Sequence, residues 1–405
     1  MRVGIIGAGA SGMMAAVVAA EYGAQVTVIE KNDRVGKKIL ATGNGKCNLT
    51  NRDFNMEKYY CAHKEKLQHI FETFDVVHTL DFFEKRGLMI RDKNGYIYPY
   101  SEQAAVVLDF WRRLLCEKNI NVQCGNPVLF SDYHKEKKCF IVKTAEKKYE
   151  FDKLIIACGG PASLKNGDGV SGYALAEKYG HSIKKTVPAL VQLKSDEKFI
   201  KAMAGVRCQA KIMLCLNGRE EATEQGEVQF TDYGISGIPV FQISRMASYA
   251  IEKKWDVNVI IDLFPDYADD EFTKMVRFRY ENMKNVRLED FLNGTVNKKI
   301  NLALIKEYGY KPDDVISKIG YNAITELMQG YRGLRVHITG TNGMANAQVC
   351  AGGVKFDEIN TNMESVMIPG LFFAGEVVDV DGVCGGYNLQ WAWTSGYVAG
   401  KSAAN

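Results

Sequence analysis

The tightest constraint on this chain is Gly7-Ala8-Gly9-Ala10-Ser11-Gly12. The motif follows an apolar run, residues 2–6, that reads as a short buried strand. It opens an Ala-rich stretch, 12–22, that reads as a helix. Residues 25–30 then read as a second strand, which makes a βαβ opening of the kind found in parallel sheets. Gly7 permits a tight turn, Gly9 lets the backbone approach a pyrophosphate, and Gly12 lets helix and strand pack closely. The helix start offers free N–H groups and the positive end of its dipole. Glu30 closes the second strand, where a carboxylate can accept hydrogen bonds from ribose hydroxyls. Together these point to dinucleotide binding. A glycine-rich turn of an unrelated α/β protein, or a methyltransferase-type loop, would share the first motif.

The same segment imitates a signal peptide, with Arg2 ahead of an apolar run ending in alanines. Gly4, Gly7, Gly9 and Gly12 interrupt that run, and a strand-turn-helix explains them. No stretch reaches the ~18 apolar residues needed to span a bilayer.

Glycine is in excess: 38 of 405 residues, about 9% against a usual ~7%. No period or low-complexity tract absorbs the surplus, so it belongs to defined turns. Two more glycine-rich segments carry it. Gly36-Lys37-Lys38 leads to Ala41-Thr42-Gly43-Asn44-Gly45-Lys46-Cys47-Asn48, a loop with bare backbone and polar side chains suited to the rest of a long dinucleotide such as FAD. Near the C-terminus, a strand at 371–374 ends in Gly375-Glu376, and Gly385-Gly386-Tyr387-Asn388-Leu389-Gln390 opens a closing helix. Glu376 can reach ribityl hydroxyls, and the helix start can face the flavin edge that becomes anionic on reduction.

The chain between these ends differs in style. Residues 63–86 and 101–118 read as helices, with a β-rich stretch and a turn at 93–95 between them. Residues 121–151 read as an antiparallel meander. A strand at 153–157 runs into Cys158-Gly159-Gly160. From Pro188 the pattern turns to strands, then to a charged, helix-patterned segment at 265–330. The expected division is a discontinuous nucleotide-binding domain (1–187 and 338–405), a β-rich insert (188–264 and 331–337) and a helical insert (265–330). The fold class is α/β: a doubly wound, Rossmann-like FAD-binding domain with an inserted β-barrel-like region and a helical insert.

Net charge is only +3, and no Lys/Arg run stands out, which argues against a nucleic-acid partner. The ten cysteines are scattered with no C-x-x-C pair, so neither a zinc site nor a dithiol redox pair is expected, and a reducing cytoplasm fits. No second G-x-G-x-x-G exists for a pyridine nucleotide.

With these segments in hand, the chain resembles the flavoproteins of the bile-acid Δ4,6-reductase and aminoacetone-oxidase-like family (BaiN/YhiN-like) over nearly its whole length. The shared markers are 43–48, Phe230 to Gly237, Gly352 to Val354, Met363 to Ser365, Gly375 to Asp379 and 385–390. Lys46 stands where the family pattern has Arg, and Ile238-Pro239 where it has Gly-Pro. Residues 158–172 also resemble a stretch of fumarate-reductase-like flavoproteins, in which Asp168 reads as a turn former. The resemblance implies non-covalent FAD, NAD(P)H as a transient donor, and an active site between flavin and insert. It further implies reduction of a C=C bond conjugated to a ketone in a hydrophobic substrate of steroid or bile-acid type. An amine oxidase of aminoacetone type that releases H2O2 is the alternative, and a flavin-bearing RNA-modifying protein is a third reading.

Candidate cofactor contacts are Gly7, Gly9, Ala10, Ser11, Gly12, Glu30, Lys31, Lys38, Thr42, Gly43, Asn44, Gly45, Asn48, Val128, Cys158, Gly159, Gly160, Gly375, Glu376, Gly386, Tyr387, Asn388 and Leu389. Enone reduction also needs a group to polarise the carbonyl and an acid to protonate the α carbon. Tyr387, Arg335 and His337 are the candidates, with Arg332 and Cys47 as neighbours of interest. No metal site is expected.

Overall fold

The computed structural model describes residues 1–163 and 171–405, so Asp168 lies outside the described residues. The chain divides into two compact units, Met1–Val187 with Gln348–Asn405, and Pro188–Ala347.

The first unit is built on a five-stranded, all-parallel sheet: β1 (Arg2–Ile6), β2 (Gln25–Ile29), β3 (Asn121–Gln123), β4 (Lys153–Ile156) and β5 (Leu371–Phe373). Across the sheet the order is β3-β2-β1-β4-β5, the doubly wound arrangement. Strand order reverses between β1 and β4, so a crevice forms beyond their C-terminal ends. The Gly7 turn and Cys158-Gly159-Gly160 both lie at those ends.

Helix α1 (Ala10–Glu21) is buried from Ser11 to Ala19. Its small and apolar side chains suit a helix enclosed on every side. The closing helix α2 (Tyr387–Ala404) supplies the cover. A Cβ on Gly396 would lie 2.5 Å from the Ser11 carbonyl oxygen, and one on Gly400 would lie 2.4 Å from that of Ala15. The two helices therefore meet backbone to backbone. α2 is tied elsewhere by Trp393, whose indole N–H donates to the Leu49 carbonyl (2.9 Å) and whose ring stacks on Trp111. Gln390 accepts from Thr50 Oγ1 (2.6 Å) and donates to Thr79 Oγ1 (2.9 Å).

Of the stretch 121–151 read as an antiparallel meander, residues 130–151 form three antiparallel strands, whereas 121–123 are β3 of the parallel sheet, pairing with β2. The stretch read as one helix over 63–86 is two, Lys64–Thr73 and Val76–Lys85. Asp75 ends the run by accepting the His78 N–H in a capping box, a signal that apolar periodicity alone passes over.

The second unit holds a seven-stranded antiparallel sheet with Leu334–His337 and Gly340–Thr341 at its edges. Because Gly340–Thr341 pairs with Leu193–Lys194, residues 338–347 belong to this unit, and the chain returns to the first unit at Gln348. A helix at Ile238–Glu252, with Pro239 in its first turn, buries Val240, Ile243, Ala247 and Ala250. The helix follows the strand Gly234–Gly237 directly, so no polar loop marks its start in the sequence. The segment 265–330 is helical, and its Phe272, Phe291, Leu304 and Leu327 share one core with the sheet.

The helix contact yields a prediction. In a helix, alanine is favoured over glycine by about 1 kcal/mol. Gly400→Ala should nevertheless lower stability by about 1–3 kcal/mol, because its methyl meets the Ala15 backbone. The urea unfolding midpoint reads this directly; an unchanged or raised midpoint would contradict the packing.

A candidate dinucleotide cradle in the first unit

The three glycine-rich motifs converge on the sheet's switch point. Gly7 (φ +104°) donates its N–H to the Ile29 carbonyl (2.8 Å), and a Cβ there would lie 2.6 Å from the Ala157 oxygen. Only glycine fits that conformation and that space. A Cβ on Gly12 would lie 2.0 Å from the Gly7 oxygen. A Cβ on Gly9, by contrast, would meet nothing within 4 Å. Gly7 and Gly12 thus answer to the fold, while Gly9 leaves open space. Gly9 also caps α1 without any side-chain hydrogen bond, so its first-turn N–H groups have no side-chain cap.

Glu30 is buried at the end of β2. Its Oε2 accepts the Ala8 N–H (2.7 Å), and its Oε1 accepts the Asn32 backbone N–H (2.8 Å) and side-chain amide. These donors fix the carboxylate, and Oε2, which accepts a single hydrogen bond, retains a lone pair for a hydroxyl.

The second and third motifs meet at Glu376. Lys38 Nζ pairs with its Oε2, and the Cys350 N–H donates to its Oε1 (2.8 Å). Gly375 (φ +77°) is held on both sides, its N–H donating to Ser395 Oγ (2.9 Å) and its carbonyl accepting from Trp391 Nε1 (3.2 Å). Ser11 Oγ donates to the Ala374 carbonyl (3.2 Å), which joins the first motif to the third. Gly159 and Gly160 border the same carboxylate, and a Cβ on Gly160 would lie 3.3 Å from Glu376 Oε1 and 2.1 Å from Cys350 Sγ.

The turn before α2 forms the far end. Gly386 (φ +99°) caps the helix without a side-chain hydrogen bond. A Cβ there would lie 2.9 Å from Asn48 Oδ1. That buried oxygen has no hydrogen-bond partner among the described residues. Asn388 holds the turn by accepting the Gly382 N–H (2.9 Å) and donating to the Gly382 carbonyl (2.7 Å). Leu389 is half-buried beside it. Thr42 Oγ1 donates to the Ile39 carbonyl, and Gly43, Asn44 and Gly45 all take positive φ in an exposed loop. Val128 is buried, Lys31 is exposed, and Cys158 Sγ–H donates to the Ile6 carbonyl (3.3 Å). Two uncapped helix starts, an open face at Gly9 and an orphaned amide oxygen at Asn48 fit a long dinucleotide such as FAD.

The candidate acids are placed differently. Tyr387 is buried, and its hydroxyl donates to the Asp53 carbonyl (2.8 Å). Desolvation pushes its pKa up to about 12, so it holds its proton. Arg335 and His337 lie in the second unit on the outward side of an edge strand. Arg335 Nε donates to Asn258 Oδ1 (2.9 Å), and both side chains flank Asp256. Arg332 is engaged by Asp262 and Asp269. Burial pushes the Cys47 and Cys158 thiols up to about 12, so both stay protonated at neutral pH. Cys350, Ser395 and Trp391 enter the site without having been anticipated, since each acts across a long sequence separation and carries no local motif.

Among the described residues, no helix is long and apolar enough to cross a membrane, and no group of three His, Cys, Asp or Glu is placed to hold a metal.

The HI0933-like protein Rossmann domain family model matches residues 1–402. The chain is 39% identical to a 3-dehydro-bile acid Δ(4,6)-reductase of Clostridium scindens, covering 100% of this chain and 99% of that one. It is 29% identical to a ribosomal RNA dihydrouridine synthase of Escherichia coli, over 98% of this chain and 96% of the other. Among solved structures, a 3-ketosteroid Δ1-dehydrogenase from Sterolibacterium denitrificans superposes with a TM-score of 0.53 at 10% identity, covering 99% of each chain. That likeness concerns the fold.

Two glycine substitutions separate fold from ligand. Gly12→Ala should destabilise the protein by about 3 kcal/mol, because its methyl strikes the Gly7 carbonyl. Gly9→Ala should cost about 1 kcal/mol or less as a changed N-cap, yet weaken FAD binding at least about tenfold, because its methyl fills ligand space. Thermal unfolding and FAD titration report the two effects; unchanged FAD affinity in Gly9→Ala would contradict the cradle.

Proposed function

The chain belongs to the HI0933-like Rossmann family of flavoproteins, and from that premise we propose that it is an FAD-dependent reductase of a C=C bond conjugated to a ketone. The substrate class is a 3-oxo steroid or bile acid, and the electron donor is NADH or NADPH. The observation that carries this reading is the 39% identity, end to end, with the bile-acid Δ(4,6)-reductase. The cradle supports it through its two uncapped helix starts and the orphaned Asn48 oxygen.

FAD, when bound, supplies two-electron transfer between donor and enone. The protein's part is to hold and orient. The N-terminus of α1, with its N–H groups and positive dipole end, would hold the pyrophosphate. Glu30, oriented by the Ala8 and Asn32 amides, would hold the adenosine ribose. Glu376, neutralised by Lys38, would accept from the ribityl chain. The N-terminus of α2 would favour negative charge on the flavin ring. Tyr387, with its proton committed to the Asp53 carbonyl, positions that helix start. In balance, NAD(P)H and one proton are consumed. A hydride equivalent reaches the β carbon, a proton reaches the α carbon, and NAD(P)⁺ and the saturated ketone leave.

A second reading has its own support in the 29% identity to the rRNA dihydrouridine synthase. The C5=C6 bond of uracil is conjugated to the C4 carbonyl. Its reduction is the same bond chemistry on a different scaffold, and the two readings differ in substrate recognition alone.

The test is anaerobic. Holoprotein is reduced with NADH or NADPH and then mixed with a 3-oxo-Δ4 steroid, a 3-oxo-Δ4,6 bile acid, or unmodified ribosomal RNA, with flavin absorbance followed at each step. Reoxidation by a steroid enone, with stoichiometric saturated product, is expected. Reoxidation by RNA alone would establish the second reading. Reoxidation by neither, together with H2O2 release from small amines in air, would point to an amine oxidase.

A further inference from the structure

A pyridine nucleotide needs a place to dock, and the chain has no second dinucleotide motif. The hairpin of strands Ile90–Lys93 and Tyr96–Pro99 is anchored by Ile97 and Pro99, which are buried. Register pairs Arg91 with Tyr98 and Lys93 with Tyr96, so these four residues occupy the opposite face of the hairpin. Arg91 (3.2 Å), Lys93 and Lys46 (3.3 Å) all converge on one carboxylate, Glu102. Lys93 and then Lys46 hold that carboxyl below the usual range, so it is ionised. Three cations on one anion leave positive charge in excess among the described residues. All three cations are substantially exposed, at 52% for Lys46, 38% for Arg91 and 44% for Lys93. Aromatic surface lies beside them, with Tyr96 40% exposed and the Arg91 guanidinium 4.2 Å from the centre of the Tyr100 ring.

This face adjoins the Gly385-Gly386 end of the cradle in three ways. Asn51 pairs with Tyr96 in the sheet and donates from Nδ2 to the Gly385 carbonyl (3.0 Å). A Cβ on Gly385 would lie 2.9 Å from the Tyr96 ring. Lys46 itself belongs to the 43–48 loop.

We propose that the outward face of this hairpin docks the phosphates and adenine of NADH or NADPH. Lys46, Arg91 and Lys93 take the phosphate charge, Tyr96 and Tyr98 offer stacking surface, and Glu102 keeps the cations in place while the site is empty of ligand. The inference rests on the reading that a pyridine nucleotide reduces the bound flavin. Cation-on-phosphate docking of this kind is salt-sensitive and needs no Rossmann domain.

The experiment is anaerobic stopped-flow reduction of the FAD-loaded protein across a titration of NADH and of NADPH. Wild type is compared with Arg91→Ala/Lys93→Ala and with the charge-retaining Arg91→Lys/Lys93→Arg. Both variants should keep wild-type flavin content and full reduction by dithionite. The alanine pair should raise the apparent Kd for the nucleotide about tenfold with an unchanged limiting rate, and the charge-retaining pair should recover most of that loss. Wild-type Kd should rise with salt, a result that needs no variant. A loss confined to NADPH assigns the patch to the 2′-phosphate, and a loss with both nucleotides assigns it to the pyrophosphate. An alanine pair that titrates as wild type overturns the docking site alone. The same holds if it loses affinity only for ribosomal RNA. If neither nucleotide reduces the wild type while dithionite does, the docking site and the donor reading fall together.

Discussion

α2 lies on α1 with glycines where side chains would normally separate two helices. Gly396 sits against Ser11 and Gly400 against Ala15, each at a distance that excludes even a methyl group. The site depends on this contact. It brings residues from opposite ends of the chain to one crevice and sets the height of α2 on the sheet. From there Trp391 and Ser395 grip Gly375, and Gly375 aims Glu376 at Lys38. At the other end of α2, Gly386 is laid against Thr50 and Asn48. Small residues at four positions thus become a statement about where a cofactor can lie.

The charge distribution follows a division of labour. Both helix starts have glycine at the N-cap, no side-chain cap and no acidic residue in the first turn. Fixed N–H groups and dipoles, rather than mobile cations, are therefore what these helix starts would present to the proposed FAD. Glu30 and Glu376 are each oriented by backbone amides, and Lys38 neutralises the second. Unbalanced positive charge is gathered on the outward hairpin face around Glu102, where the proposed transient donor would be held by screened, exchangeable contacts. A resident cofactor and a transient donor call for these two kinds of binding.

Much of this was legible in the sequence, for physical reasons. Gly7, Gly9 and Gly12 follow a strand and open a helix, and that local order predicts the switch-point turn. The 371–376 strand and the 385–390 turn are equally local. What escaped was non-local. Cys350 meets Glu376 through a backbone N–H that no side-chain pattern encodes. The Glu102 cluster joins residues from three segments and shows no basic run. The helix over Ile238–Glu252 begins straight out of a strand at Gly237, whose positive φ turns the chain without a recognisable loop. Tyr387 opens α2, next to the Gly385-Gly386 turn that precedes it in the sequence. Only the structure shows its hydroxyl spent on the Asp53 carbonyl rather than free to donate.

A single FAD, held by both ends of the chain together in the crevice between β1 and β4, is what the proposed function rests on. Its most direct measurement is the visible spectrum and flavin content of the purified protein after reconstitution with excess FAD and gel filtration. One FAD per chain, with the absorption of protein-bound oxidised flavin, is the predicted result. A colourless protein that folds normally, yet retains no flavin after reconstitution, would contradict it.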